Sequence, residues 1–163
     1  MRGIIKYTLG IYLVGILLFI PCTIQPRALP NTTITDIKMD KVSNYLSTKY
    51  KRDIKDIKAV VKVAYKYGHK HKFPTHTDIL AIIAIESSFN KYAVSSANAK
   101  GLMQILYKKS SFNLEDNISD GVWLLKDYKA KLSVEGTIHA YNVGIGNYKS
   151  GMRNFEYFNK FKT

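Results

Sequence analysis

One cysteine among 163 residues, Cys22, excludes an intrachain disulfide, so packing alone must hold the chain together. Proline is almost as scarce. Of its four copies, Pro21, Pro26 and Pro30 fall in one short stretch and only Pro74 lies in the remaining chain. Acidic residues are missing from residues 1–30, and they are missing again between Glu86 and Glu115. No internal repeat or low-complexity segment is present, which excludes a solenoid. His69, His71 and His76 lie close together, but no second cluster of Cys or His completes a metal-ligand set, so they read as loop residues and no metal or cofactor is expected.

What is present is apolar and basic. A 46% hydrophobic content is ample for one core, and the length fits one domain with an appendage. The formal charge is +13. Arg2, Lys6 and Arg27 are the only charges before residue 31, leaving 22 of the 25 basic residues against all 12 acidic ones. Such a surface favours an anionic partner: nucleic acid, acidic lipid, or a wall polymer bearing carboxylates.

Tyr7–Ile20 is a run of 14 residues without a charge, preceded by Arg2 and Lys6. A spanning helix needs about 17–25 residues, which Gly3–Ile20 reaches if Lys6 snorkels. Small residues are not paired at the positions a cleavage site requires, and Pro21 before Cys22 does not suit lipid attachment. Residues 1–22 therefore read as an uncleaved anchor, with a cleaved signal as the alternative. The charge bias places the N-terminus in the cytoplasm and the rest outside. Residues 23–35, with Pro26, Pro30 and Asn31-Thr32-Thr33, read as a linker to a domain over 36–163.

The domain is expected to be mostly α-helical. Asp36–Tyr50 is weakly amphipathic; Asp53–Tyr67 is better patterned, with Ile54, Ile57, Val61, Ala64 and Tyr65 in one stripe and Gly68 able to end it. Lys49–Lys72 holds nine basic residues, of which Lys55, Lys58, Lys62 and Lys66 share a face. With little aromatic interleaving and no nucleic-acid motif, that face reads as a solvated one. Asn117–Leu132 carries an inner stripe of Ile118, Val122, Leu125, Tyr128 and Leu132, with Trp123 read as core in preference to a wall of a sugar subsite and Gly121 as a close approach to another helix. Ser133 caps the next helix, Gly144, Gly146 and Gly151 break the chain into loop, and Phe155, Phe158 and Phe161 form an aromatic stripe that closes the core.

The stretch Ile79–Leu106 organises the rest. Thr75 or Thr77 can cap the helix that contains it, with Asp78 near the positive end of the dipole. Ile79, Ile82, Ile83 and Glu86 recur at i, i+3, i+4 and i+7, and Ala81, Ala84 and Ile85 make the other faces apolar. Glu86 is therefore a carboxylate in a core-like setting. Burial disfavours its charged form, so it can keep a proton near neutral pH and serve as a general acid. A structural ion pair would look the same from the helix alone. Ser87, Ser88, Asn90, Ser95, Ser96 and Asn98 then supply short polar groups, and Gly101-Leu102-Met103-Gln104 adds an amide that can donate and accept. One acid beside hydrogen-bonding walls suits a sugar polymer, although most glycosidases use a pair of carboxylates.

The residues Glu86-Ser-Ser-Phe-Asn90, Ala93-Val-Ser95 and Gly101-Leu-Met-Gln104, followed by Ala140-Tyr-Asn142-Val-Gly144 with Gly146 and Tyr148, resemble the motifs of the lysozyme-like lytic transglycosylases that cut peptidoglycan. The resemblance covers roughly residues 54–150. It departs after GLMQ, where that family continues with an apolar residue, Pro, one residue and Thr, while this chain has Leu106-Tyr107-Lys108-Lys109-Ser110.

The resemblance implies a lysozyme-like globule that cleaves the β-1,4 bond between N-acetylmuramic acid and N-acetylglucosamine, with Glu86 as the single acid and base. It further implies that Tyr141 orients Glu86 or the substrate, that Ser87, Ser95 and Gln104 bind the sugar, and that Met103 and Asn142 shape the groove. A serine of some relatives stands here as Ala97. The implied partners are peptidoglycan strands and the membrane, with an envelope-spanning apparatus as a further one. A hydrolytic lysozyme on the same fold and a non-catalytic wall-binding module of a secretion, conjugation or phage-entry apparatus remain alternatives.

Overall fold

A computed structural model of the chain describes residues 33–68, 72–106 and 111–163. The expected anchor and most of the linker, Cys22, His69, His71 and the segment Tyr107–Ser110 lie outside the described residues. Among the described residues there are seven helices and no strand: α1 (Ile34–Tyr50), α2 (Ile54–Gly68), α3 (His76–Ser87), α4 (Leu114–Lys129), α5 (Val134–Val143), α6 (Ile145–Lys149) and α7 (Phe155–Lys162). None of these is long and apolar enough to cross a membrane.

Helix starts follow from local side chains. α1 begins inside the segment expected to be linker because Thr33 and Asp36 form a reciprocal capping box: the Asp36 amide donates to Thr33 Oγ1, and the Thr33 amide donates to Asp36 Oδ2. α3 repeats the device with Thr75 and Asp78, which decides between Thr75 and Thr77. α4 starts three residues earlier than Asn117, because Asn113 Oδ1 accepts from the amides of both Glu115 and Asp116. Ser133 caps α5 as expected. After Gly144 the chain does not run as loop throughout; it makes the short helix α6 before Gly151.

α1 packs on α2, α2 on α3 and α4, α4 on α5, and α5 on α6 and α7; α7 then closes back on α3. The core is built from Ile57, Val60, Val61 and Ala64 of α2, Ile79, Ile82 and Ile83 of α3, Ile118, Val122 and Leu125 of α4, and Ile138 of α5. Each large aliphatic side chain so buried contributes about 1.5–3 kcal/mol. Gly68 is the last residue of α2 rather than a residue beyond it. A Cβ there would stand 2.1 Å from the His76 amide nitrogen, so glycine lets α2 end against the start of α3.

Four expectations of the sequence are corrected. Trp123 is 62% exposed and does not belong to the core. Phe155 is 61% exposed, so the aromatic stripe closes the core only through the half-buried Phe158 and Phe161. His76 opens α3, with its ring 4.0 Å from that of Tyr65, instead of lying in a loop. Ala81, Ala84 and Ile85 are half-buried, because α1, α3 and α7 diverge around a groove of about 780 Å³ along that side. The lysine face of α2 is partly neutralised, since Lys58 pairs with Asp40 at 2.8 Å and Lys66 pairs with Glu115.

Candidate active site

Glu86 lies in the last turn of α3, on the face shared with Ile79, Ile82 and Ile83. The helix stops at Ser87 because the next residue, Ser88, turns left-handed (φ 47°) and donates its amide to the Ala84 carbonyl. Phe89 (φ 60°) then drives into the core, 4.9 Å from the ring of Tyr50. Consecutive left-handed residues that are not glycine are strained, and buried packing on Phe89 holds them. The sharp exit keeps Glu86 at a helix end, half-buried, where a ligand can reach it.

The loop from Asn90 to Leu106 folds on itself. Ser95 Oγ accepts the Ala99 amide at 3.0 Å, and Gly101 donates its amide to the Ala93 carbonyl at 2.9 Å. Gln104 (φ 49°) donates through Nε2 to the carbonyls of Ala93 and Gly101. From α4, Asn117 reaches under this loop. Its Oδ1 accepts the Met103 amide at 2.8 Å, and its Nδ2 donates to the carbonyls of Lys100 and Ser111 at 2.9 and 3.1 Å. Gly101 (φ +80°) permits that approach, since a Cβ would stand 2.4 Å from Asn117 Nδ2. Met103 is wholly buried against Gly121, where a Cβ would meet its sulfur at 2.4 Å. The close approach at Gly121 is thus to a loop and not to another helix, and Met103, being wholly buried, lines no surface.

Two phenols complete the site. Tyr141 of α5 donates to the Met103 carbonyl at 2.8 Å, tying α5 to the loop. The hydroxyl that donates to Glu86 is instead that of Tyr157 in α7, at 2.6 Å from Oε1. Burial pushes the Glu86 carboxyl above its ordinary pKa, and the Tyr157 bond opposes that rise. Burial also raises both phenols, and the nearby Glu86 charge raises them further, so each stays a neutral donor. Among the described residues no second carboxylate stands against Glu86, and no group of His, Cys, Asp or Glu could hold a metal ion.

The other expected residues stand close to this frame. Ser87 donates to the Ile83 carbonyl at 3.0 Å, and Asn142 at the end of α5 is exposed and accepts from Asn154 Nδ2 at 2.8 Å. Sequence reasoning missed Tyr157, Asn117 and Asn154. The one available signal was Asn154-x-x-Tyr157, an N-cap followed three residues later by a buried aromatic.

In this helical globule the half-buried carboxyl of Glu86 has a raised pKa and accepts a hydrogen bond from a phenol, an arrangement able to keep a proton near neutral pH. The profile of the Transglycosylase SLT domain matches residues 62–162, and the chain belongs to that family. It is 30% identical over 151 residues to the membrane-bound lytic murein transglycosylase C of Mannheimia succiniciproducens, covering 76% of this chain and 40% of that protein. The proteins of the same name from Serratia proteamaculans and Haemophilus influenzae are 39% and 34% identical over 83 and 84 residues, each covering 51% of this chain and 21% of theirs. The chain therefore spans less than half the length of these relatives. No solved structure gives a significant match.

Proposed function

We propose that the chain is a peptidoglycan lytic transglycosylase that cuts the β-1,4 bond between N-acetylmuramic acid and N-acetylglucosamine. The observation that carries this reading is the solitary Glu86, half-buried, raised in pKa and hydrogen-bonded by Tyr157. Glu86 protonates the glycosidic oxygen. As a carboxylate it then takes the proton from the C6 hydroxyl of the muramyl residue, which closes on C1 to leave a 1,6-anhydro ring. Tyr141 keeps the loop wall in place through Met103. Ser95 retains its hydroxyl proton for the sugar, Gln104 retains Oε1 as an acceptor, and Asn142 retains Nδ2 as a donor, while Ser87 lies one residue from the acid.

Hydrolysis would need a water activated by a second carboxylate, with room between the pair. The intramolecular hydroxyl needs no such partner and has a high effective concentration. Digestion of purified sacculi should therefore release muropeptides with 1,6-anhydro-muramic ends, each lighter by one water than a lysozyme product. Reducing muramic ends as the main products in mass spectrometry would overturn this and make the protein a hydrolase.

The relatives' names describe membrane-bound enzymes. We extend the proposal to an uncleaved anchor within residues 1–22 that holds the domain on the outer side of the cytoplasmic membrane. N-terminal sequencing of the mature protein should find residues 3–20 retained. A start near Thr23 or Leu29 would exclude the anchor.

A further inference from the structure

Asn154 is gripped from two sides by the end of α5. Its amide donates to His139 Nδ1 at 3.2 Å, and its Nδ2 donates to Asn142 Oδ1 at 2.8 Å. The remaining Oδ1 accepts the Tyr157 amide at 2.9 Å, which makes Asn154 the N-cap of α7. A side-chain cap fixes the geometry of the first helical turn. In this turn that geometry aims the Tyr157 hydroxyl, and it lands 2.6 Å from Glu86 Oε1.

The chemistry of His139 is unusual for its place. The ring is 1% exposed, with Phe155 edge-on at 5.1 Å and Phe158 tilted at 5.2 Å. Nδ1 accepts an N–H and so carries no proton, which puts the proton of the neutral ring on Nε2. That atom is buried and has no hydrogen-bond partner among the described residues; the Glu135 carboxylate oxygen is 3.7 Å away. A phenyl ring would fill the same aromatic pocket without an orphaned N–H, whose burial is unfavourable. What imidazole supplies and phenyl cannot is the acceptor for the Asn154 amide.

We propose that His139 is a positioning residue: by holding the N-cap Asn154, with Asn142 as brace, it sets α7 so that the Tyr157 hydroxyl meets Glu86. The consequence for turnover rests on the transglycosylase reading, whereas the effect on Glu86 itself does not. The groups that face Glu86 are Tyr157 from α7 and, through its charge, Tyr141 from α5. Because the Tyr157 bond holds the Glu86 pKa down, losing that bond while α7 stays packed on α3 and keeps the carboxyl buried lets that pKa rise.

The test is the titration of Glu86 in the full chain, followed by NMR of carbon-13-labelled glutamate. Tyr157→Phe should move the Glu86 midpoint upward. His139→Phe, which keeps the aromatic packing and removes Nδ1, should move it the same way. The double variant should match Tyr157→Phe alone, since both changes act through one bond. In turnover, His139→Phe should lower kcat roughly tenfold or more by misplacing the acid's partner, with little change in KM. The alkaline limb of the pH profile should shift upward with the Glu86 pKa. A purely structural histidine would lower Tm and leave the titration where it was. Asn142→Ala, at an exposed position, should give a smaller upward shift and serves if His139→Phe does not fold. An unmoved Glu86 midpoint in whichever of the two folds, or additive shifts in the double variant, overturns the proposal. Because NMR needs no product, inactivity of every variant and of wild type would sink the enzymatic reading and leave this one decided separately.

Discussion

Glu86→Gln should lose wall cleavage by about 10²–10⁴-fold while keeping its fold, the range expected when a positioned general acid is removed. Glutamine keeps the shape and an oxygen to accept from Tyr157, but it has no proton to give to the leaving oxygen. The same substitution should raise stability near neutral pH. In the folded protein the Glu86 carboxyl lies above its ordinary pKa of 4.5, because burial penalises its charge more than Tyr157 relieves it. A carboxyl with a raised folded pKa contributes stability that is complete below the unfolded value and is lost as pH rises through the folded one. Wild type should thus be the less stable of the two at pH 7, and the gap should close as pH falls towards 4.5. Urea unfolding at two pH values and a turbidity assay on sacculi check the two halves. Near wild-type cleavage in the variant would remove Glu86 from the chemistry. A variant inactive and also destabilised at neutral pH would instead mark the carboxylate as a structural anchor.

How much of this site could be read from the chain depends on how far apart its parts lie. Glu86 announces itself locally, since an acid at i+3 and i+4 from Ile83 and Ile82 shares their face whatever the rest of the fold does. Two helix starts were legible for the same reason: a Thr or Ser side chain caps an amide three residues on, as Thr75 and Ser133 do, whereas Thr33, read as linker, was not recognised as the cap of α1. Tyr157 was not legible. It stands 71 residues from Glu86, and in Phe155–Lys162 the three phenylalanines draw the eye to another face of α7. Nothing short of the closure of α7 on α3 puts its hydroxyl on the acid.

Tyr141 shows the converse. Its motif singles it out, but which oxygen it meets depends on the loop. That loop rises to offer the Met103 carbonyl because Asn117 holds it from beneath. Ser95 and Gln104 were read as sugar ligands. Each also spends one polar group on closing the loop, a local use that residue type cannot reveal. Trp123 failed for a simpler reason. Its place beside an apolar stripe suggested core, but α4 turns it outward, and only packing distinguishes a stripe from its edge.

Asn117→Ala should be the most destabilising single change in the loop frame, by about 3 kcal/mol or more. The side chain is 1% exposed and makes three hydrogen bonds to backbone atoms of two segments. Its loss strands the Met103 amide and the carbonyls of Lys100 and Ser111, and each buried polar group left without a partner costs about 1–3 kcal/mol. The gap it leaves lies directly under Gly101, whose backbone approaches within contact of the amide. Asn117→Asp separates the parts. It keeps the acceptor for the Met103 amide but exchanges the donor for an oxygen facing two carbonyls, so it should fall at least as far at neutral pH. Its loss should shrink on acidification, where a protonated carboxyl can donate again. Cleavage should decline in both variants below their unfolding midpoints, because the Met103 carbonyl that receives Tyr141 moves with the loop. Urea unfolding measures the first effect, and initial rates at a temperature where both variants remain folded measure the second. A loss under about 1 kcal/mol for Asn117→Ala would mean that water replaces the amide, and the loop would then need another explanation for its rigidity.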